Sequence, residues 1–132
     1  MMLRHRPDLS AFAGVALFAP YDAHALAPLA RHADRLAVPT GVTLAHEGRH
    51  AHEVVVIVSG EVDVTRGGRS AGRLGPGAVI GAREEVSGTV HDATYTAGCG
   101  VAALVLTGAS FRWAVQSLTG LAPDLGLATA SG

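Results

Sequence analysis

Histidine side chains supply most of the metal-ligand chemistry in this sequence. Three of them stand just ahead of Glu53: His46, His50 and His52. Imidazole and carboxylate groups are common ligands of transition metals, and a site needs three or four converging donors. His52 and Glu53 are adjacent, so on a strand their side chains point to opposite faces. Because His91 is the one later histidine, we expect an exposed histidine-rich loop and no bound metal.

The sequence supports nucleophilic catalysis less well than it supports metal binding. Cys99, the single cysteine, stands between Gly98 and Gly100 in a predicted turn, with no histidine near it in the chain. A thiol becomes a good nucleophile when a neighbouring base or cation lowers its pKa. We therefore expect Cys99 to be a surface or half-buried structural thiol, and we expect no enzymatic activity.

The composition is that of one globular domain without a strongly charged surface. The chain has 132 residues, 48% of them hydrophobic, and its 10 basic residues against 11 acidic ones give a net charge of −1. This balance excludes a broadly basic nucleic-acid-binding protein. No apolar run reaches the roughly 18 residues of a membrane span. A single cysteine forms no internal disulfide, as is typical of a reducing compartment, so we expect a cytoplasmic protein with no nucleic-acid and no membrane partner.

Helical patterns flank a central β region, and we expect the whole chain, residues 1–132, to be a single domain. A helical lead-in is predicted over residues 8–36, with Asp22 capping its second helix. A C-terminal helix is predicted over residues 107–119, with Trp113 as a core contact, followed by a tail of residues 120–132.

Residues 38–106 show the period of two that is typical of strands with one buried face. Glycine-rich turns such as Gly67-Gly68 separate the segments about every eight to twelve residues. The predicted strands are Val42–His46, Glu53–Val58, Glu61–Arg66, Arg69–Leu74, Ala78–Ile80, Ala93–Ala97 and Val101–Leu106. The pattern predicts a mainly β fold, an eight-stranded antiparallel jelly roll (double-stranded β-helix) with flanking helices.

Three runs carry a resemblance to a known family: VPTGVTLAHEG at 38–48, VIVSGEVDV at 56–64 and GRLGPGAVIG at 72–81. They resemble the cyclic nucleotide-binding domain family, which includes the regulatory domain of the cAMP receptor protein. The resemblance extends over about residues 9–119. It implies a non-enzymatic regulatory module in which a ligand or a partner shifts the terminal helix.

Family members that bind a cyclic nucleotide carry a phosphate-binding cassette between the sixth and seventh strands. It begins Phe-Gly-Glu, runs through a short helix and ends Pro-Arg-x-Ala-Thr or Ser. Here residues 80–94, IGAREEVSGTVHDAT, match it without a gap. The resemblance therefore assigns ligand binding to seven residues: Gly81, Ala82, Arg83, His91, Asp92, Ala93 and Thr94.

Two cassette positions depart from the family pattern. Ala82 replaces the glutamate that would accept from the ribose 2′-hydroxyl, and His91 replaces the arginine that would face the cyclic phosphate. Arginine offers a permanent charge and a bidentate fork, and losing such a partner costs about 2–5 kcal/mol. Arg83 is a candidate replacement cation, although the family has an apolar residue there. We expect weak or lost binding of cAMP and cGMP.

Three functions stay open. The chain is a regulatory module that binds a cyclic nucleotide or another small anion weakly and needs no cofactor, or it is a ligand-independent interaction or assembly module for a protein partner or a second copy. The third is a metal-dependent enzyme resembling the cupins, which share the jelly roll and a His-x-His motif. Family transcription factors continue into a DNA-reading element, and Gly120 and Pro123 interrupt the region where its leading helix would run, so no such element is expected.

Overall fold

The computed structural model describes residues 3–5, 12, 15–118, 120, 121 and 125. This part of the chain contains three α-helices and a 3-10 turn: α1 (Ala23–His32), α2 (Ala82–Ser87), α3 (Gly108–Ser117) and the turn Ala16–Phe18. Its strands are β1 (Leu3–His5), β2 (Ala33–Val38), β3 (Thr43–Ala45), β4 (Glu53–Ser59), β5 (Val62–Arg66), β6 (Arg69–Leu74), β7 (Val79–Ile80), β8 (Thr94–Ala97) and β9 (Val101–Thr107).

The strands form two sheets in which the recorded pairs are antiparallel. One sheet has the order β1-β2-β9-β4-β7 and the other the order β3-β8-β5-β6. The predicted mainly β jelly roll with flanking helices is confirmed. None of the helices in the described part of the chain is long and apolar enough to cross a bilayer.

Strand β4 is apolar on both faces because the five-stranded sheet is covered on both sides. Val54 and Val56 pack with α1 and α3 residues, in a cluster that includes Leu29 and Phe111. Val55 and Ile57 point the other way and pack with residues of the four-stranded sheet. Strand β9 alternates in the same manner. Burial on both faces explains why β4 reads as a continuous run of apolar residues rather than as an alternating pattern.

One prediction for the N-terminal half, the extent of its second helix, is wrong. Asp22 does cap α1, its Oδ1 accepting from the Ala25 N–H at 2.8 Å, but the helix ends at His32. The prediction that it reaches residue 36 is wrong, because residues 33–38 form β2 and pair with β9 along their whole length. The predicted first helix falls largely outside the described residues, apart from the 3-10 turn.

One prediction for the C-terminal helix, the burial of Trp113, is also wrong. Helix α3 lies within the predicted range, and its Thr107 Oγ1 accepts from the Ser110 N–H at 3.1 Å. Phe111 and Ala114 are buried, but Trp113 is 37% exposed. The prediction that Trp113 is a core contact is wrong, since the helix turns its other face to the sheet.

Candidate functional site

The cassette begins where β7 turns into α2. Gly81 has a φ of +91°, and a Cβ there would lie 2.8 Å from the backbone oxygen of Glu53. Glycine is therefore needed both for the left-handed conformation and for the close approach to β4. Helix α2 ends at Gly88, with a φ of +70° and an N–H that donates to the Glu84 carbonyl. The cassette thus keeps a short helix held between two glycines.

A concavity of about 230 Å³ opens beside α2, and we call it the cassette pocket. It brings together four predicted site residues: Gly81, Ala82, Arg83 and Asp92. Polar side chains that complete its wall are Arg66, Glu84 and Tyr95. Ala82 is buried, and its methyl group accepts no hydrogen bond. The position at which the family binds the ribose hydroxyl is thus present in shape but not in chemistry.

Charges in the cassette pocket are mixed. Arg66 Nη2 lies 3.4 Å from Asp92 Oδ2, with both side chains more than half exposed. Burial raises the pKa of the Tyr95 phenol, the carboxylates of Asp92 and Glu84 raise that pKa further, and Arg66 lowers it by less. At this phenol the two carboxylates therefore have a larger effect than the Arg66 guanidinium.

His91 does not line the cassette pocket. Its backbone N–H donates to the Arg49 carbonyl at 2.8 Å, and its carbonyl accepts from the Gly48 N–H at 2.9 Å. These two bonds fix the residue against the loop between β3 and β4. The side chain is 6% exposed, and it lines a second concavity of about 180 Å³.

This second concavity, the histidine cavity, has six polar residues in its wall: His46, Arg49, His50, His52, Glu53 and His91. The Nδ1 atom of His91 is buried and has no hydrogen-bond partner. The three loop histidines are exposed, as the sequence predicts. Among the described residues, no three His, Cys, Asp or Glu side chains are arranged to hold a metal ion.

The last two predicted site residues make internal contacts. Ala93 is fully buried, and Thr94 Oγ1 accepts from the Glu47 N–H at 3.1 Å. Glu47 Oε1 in turn accepts from the Gly67 N–H at 3.0 Å. The seven predicted residues therefore divide into four at the cassette pocket, one at the histidine cavity, the buried Ala93, and Thr94, which links β8 to the loop of Glu47.

Sequence reasoning missed Arg66 and Tyr95, which stand on paired strands of the four-stranded sheet. Tyr95 is opposite Val64 in the ladder, and Arg66 is two residues beyond Val64, so the strand period places it on the same face. That alternation is the signal that could have found Arg66. Cys99 is exposed, as predicted, and its Sγ accepts from the Glu61 N–H at 3.2 Å.

The family model of the cyclic nucleotide-binding domain matches residues 35–117, and a comparison with curated proteins found no significant match. Among solved structures, a cAMP-binding acyltransferase from Mycobacterium smegmatis is similar, with 26% identity and a TM-score of 0.77 over 88% of this chain and 37% of that one. The regulatory subunit of a cAMP-independent protein kinase A from Trypanosoma brucei has 17% identity and a TM-score of 0.76, over 89% of this chain and 44% of that one.

The sensor domain of the transcriptional regulator DNR from Pseudomonas aeruginosa has 19% identity and a TM-score of 0.73, over 88% of this chain and 86% of that one. The chain thus spans less than half the length of the acyltransferase and of the kinase subunit. The family match covers more than half of the chain, including the cassette and every residue that lines the histidine cavity. The chain belongs to the cyclic nucleotide-binding domain family.

Proposed function

We propose that this chain is a cytoplasmic, non-enzymatic regulatory or sensor module in which binding of cAMP and cGMP is weak or lost. The observation that supports the proposal is where the side chains at positions 91 and 92 lie. A cyclic phosphate needs a cation at the end of the cassette, and the family supplies an arginine there. In this chain the side chain of Asp92 lines the pocket, while that of His91 lines the histidine cavity.

The backbone of the cassette also supports the proposal, because it resembles the family pattern where the side chains do not. Gly81 and Gly88 have left-handed conformations at the two ends of α2, so the backbone turns of the cassette are present and two side-chain groups of the family pattern are not. These are the hydrogen-bond acceptor for the ribose at Ala82 and the arginine for the phosphate at His91.

Arg83 lines the pocket, and we infer that it does not replace this arginine, because the family has an apolar residue at its position. Arg66 is already engaged by Asp92, and releasing it would leave that carboxylate facing the ligand.

The test is calorimetry with cAMP and cGMP at about pH 7.5. We expect the native chain to bind with a Kd well above the micromolar range. The side chain at position 91 lines the histidine cavity, so the missing cation is supplied at position 92, which lines the cassette pocket. The double variant Ala82→Glu plus Asp92→Arg should bind at least about tenfold more tightly than the native chain.

A matched control places the same groups elsewhere: Ala109→Glu on the exposed side of α3 and His24→Arg on the exposed side of α1. This control should gain nothing. Micromolar or tighter binding by the native chain would overturn the proposal. No gain from the restored pocket would instead favour the ligand-independent interaction module.

One observation favours that second function. Trp113 is 37% exposed and lines an apolar groove of about 480 Å³ between α1 and α3, together with Pro28 and Leu29. An exposed tryptophan in an apolar groove is typical of an interaction surface. Light scattering of the native chain and of Trp113→Ala tests for self-association. An assembly that disappears in the variant would support this function, and a concentration-independent monomer would exclude the second copy as the partner.

A further inference from the structure

The buried Nδ1 atom of His91 needs an explanation. Buried ring nitrogens in folded proteins almost always have a hydrogen-bond partner, and an unpartnered one marks a place for water, an ion or a ligand. His91 is only 6% exposed, and it forms part of the wall of the histidine cavity. Its backbone bonds to the loop of Gly48 and Arg49 hold it there.

The wall of the histidine cavity is rich in hydrogen-bond donors. Arg49 is permanently charged, and four imidazoles surround the space: His46, His50, His52 and His91. Glu53 is the one carboxylate in the wall. Next to His91 on the cassette side are Asp92, its neighbour in the chain, and Tyr95, whose ring centroid is 6.2 Å away. A wall in which donors outnumber carboxylates favours an oxyanion over water alone.

Size and donor geometry narrow the class of ligand. The cavity volume of about 180 Å³ accommodates a small oxyanion, and its inner wall is apolar, formed by Leu44, Ala45, Val55 and Ile80. Imidazole N–H and guanidinium groups donate hydrogen bonds in the geometry that oxyanions accept. A transition metal fits less well, because no three donors among the described residues converge on a point.

We propose that the histidine cavity is a second ligand site, which binds a small oxyanion through the His91 Nδ1–H group and the Arg49 guanidinium. The site does not depend on the proposed function, because the histidine cavity and the cassette pocket share no lining residue.

The probe is sulfate. The imidazole resonances of the seven histidines are followed by NMR during a titration at constant ionic strength, with chloride as the balancing ion. We expect saturable shifts of the His91 resonances.

Two variants at position 91 separate the donor from the packing. His91→Asn keeps an N–H group near the position of Nδ1 and should keep binding, whereas His91→Leu should lose it. Arg49→Gln changes an exposed residue and tests the site even if His91→Leu does not fold. His24→Leu on the exposed side of α1 is the matched control and should bind as the native chain does.

Saturable binding that persists in both His91→Leu and Arg49→Gln would overturn the proposal and identify an adventitious ion only. Absence of saturable shifts would overturn it in favour of water. Tight binding of Zn²⁺ by the native chain, lost in His91→Leu, would overturn it in favour of a metal. Arg83 lines the cassette pocket and not the histidine cavity, so unchanged sulfate binding in Arg83→Gln separates this site from the nucleotide site.

Discussion

The carboxylate of Glu85, on cassette helix α2, forms an ion pair with the guanidinium of Arg112, on the C-terminal helix α3. The Glu85 side chain is 10% exposed because it lies over the first turn of α3, where Gly108 has no side chain. A Cβ at position 108 would come within 2.6 Å of the Glu85 carboxyl carbon. One carboxylate therefore joins the two helices that the family resemblance implicates in regulation.

Removing the cation of this pair should destabilise the fold. Arg112→Gln leaves the Glu85 carboxylate buried without its partner, and we expect a loss of about 1–2 kcal/mol in the free energy of unfolding, because Arg112 itself is half exposed. Urea denaturation measures the change. The matched control is Arg66→Gln, whose ion pair with Asp92 is exposed on both sides and should contribute less than about 0.5 kcal/mol. Equal effects of the two variants would contradict a special role for the buried pair.

Adding one methyl group at Gly108, where α2 and α3 meet, should also destabilise the fold. Gly→Ala in a helix ordinarily stabilises by about 0.5–1 kcal/mol, but Gly108→Ala has to displace the Glu85 carboxylate. We expect a net loss of about 1 kcal/mol, measured by urea denaturation. In a Glu85→Ala background the same substitution should become neutral or stabilising. A double-mutant cycle with no coupling would show that the two residues do not touch in solution.

The two glycines that bound α2 should differ in their tolerance of alanine. Both have a positive φ, which costs a residue with a Cβ about 1 kcal/mol or more. Gly88→Ala meets no atom within 4 Å, whereas Gly81→Ala also meets the Glu53 carbonyl oxygen. We therefore expect Gly81→Ala to lower the unfolding free energy by about 2 kcal/mol or more, and Gly88→Ala by about 1 kcal/mol. The reverse order in a thermal melt would refute the close approach of α2 to β4.

Tyr95 makes the stability of the chain sensitive to high pH. Its pKa is raised above the usual value by burial first, and then by Asp92 and Glu84. The folded state thus holds the phenol proton at a pH where the unfolded chain releases it. This contribution to stability is fully present below the unfolded pKa of about 10, and it is lost as the pH rises through the folded pKa.

Absorbance titration of the tyrosinate measures this pKa directly. The chain has two tyrosines, so Tyr21→Phe leaves Tyr95 as the only phenol. Adding Asp92→Asn should move the midpoint to lower pH by removing the second cause of the shift, and Asp63→Asn, at a carboxylate paired with Arg73 on the same sheet, should move it less. A midpoint that does not move on Asp92→Asn would show that the Asp92 carboxylate does not act on the Tyr95 phenol.

Most strand limits were predictable because they depend on residues that are near one another in the sequence. Turn glycines and polar–apolar alternation place the seven predicted strands within one residue of the observed limits. Strand β2 was not predictable in this way, since the apolar residues Leu26, Leu29, Ala33 and Leu36 also fit a helical period. The pairing of β2 with β9 decides the conformation of residues 33–38, and that contact is remote in sequence.

The position of the cassette helix was predictable, but the direction of the His91 side chain was not. The cassette match and the glycines at its ends locate α2 correctly. The direction of the His91 side chain depends on backbone bonds to Gly48 and Arg49, more than forty residues earlier, which no local pattern encodes. The burial of Glu85 likewise depends on the absence of a side chain at Gly108 on a different helix.

The cassette pocket and the histidine cavity lie close to Gly81, and their walls have no side chain in common. Substitutions at neighbouring positions generally do not add independently. Gly81 lines the cassette pocket, and a Cβ there would lie 3.5 Å from the His91 ring in the wall of the histidine cavity. Replacing this glycine is therefore expected to alter both walls at once.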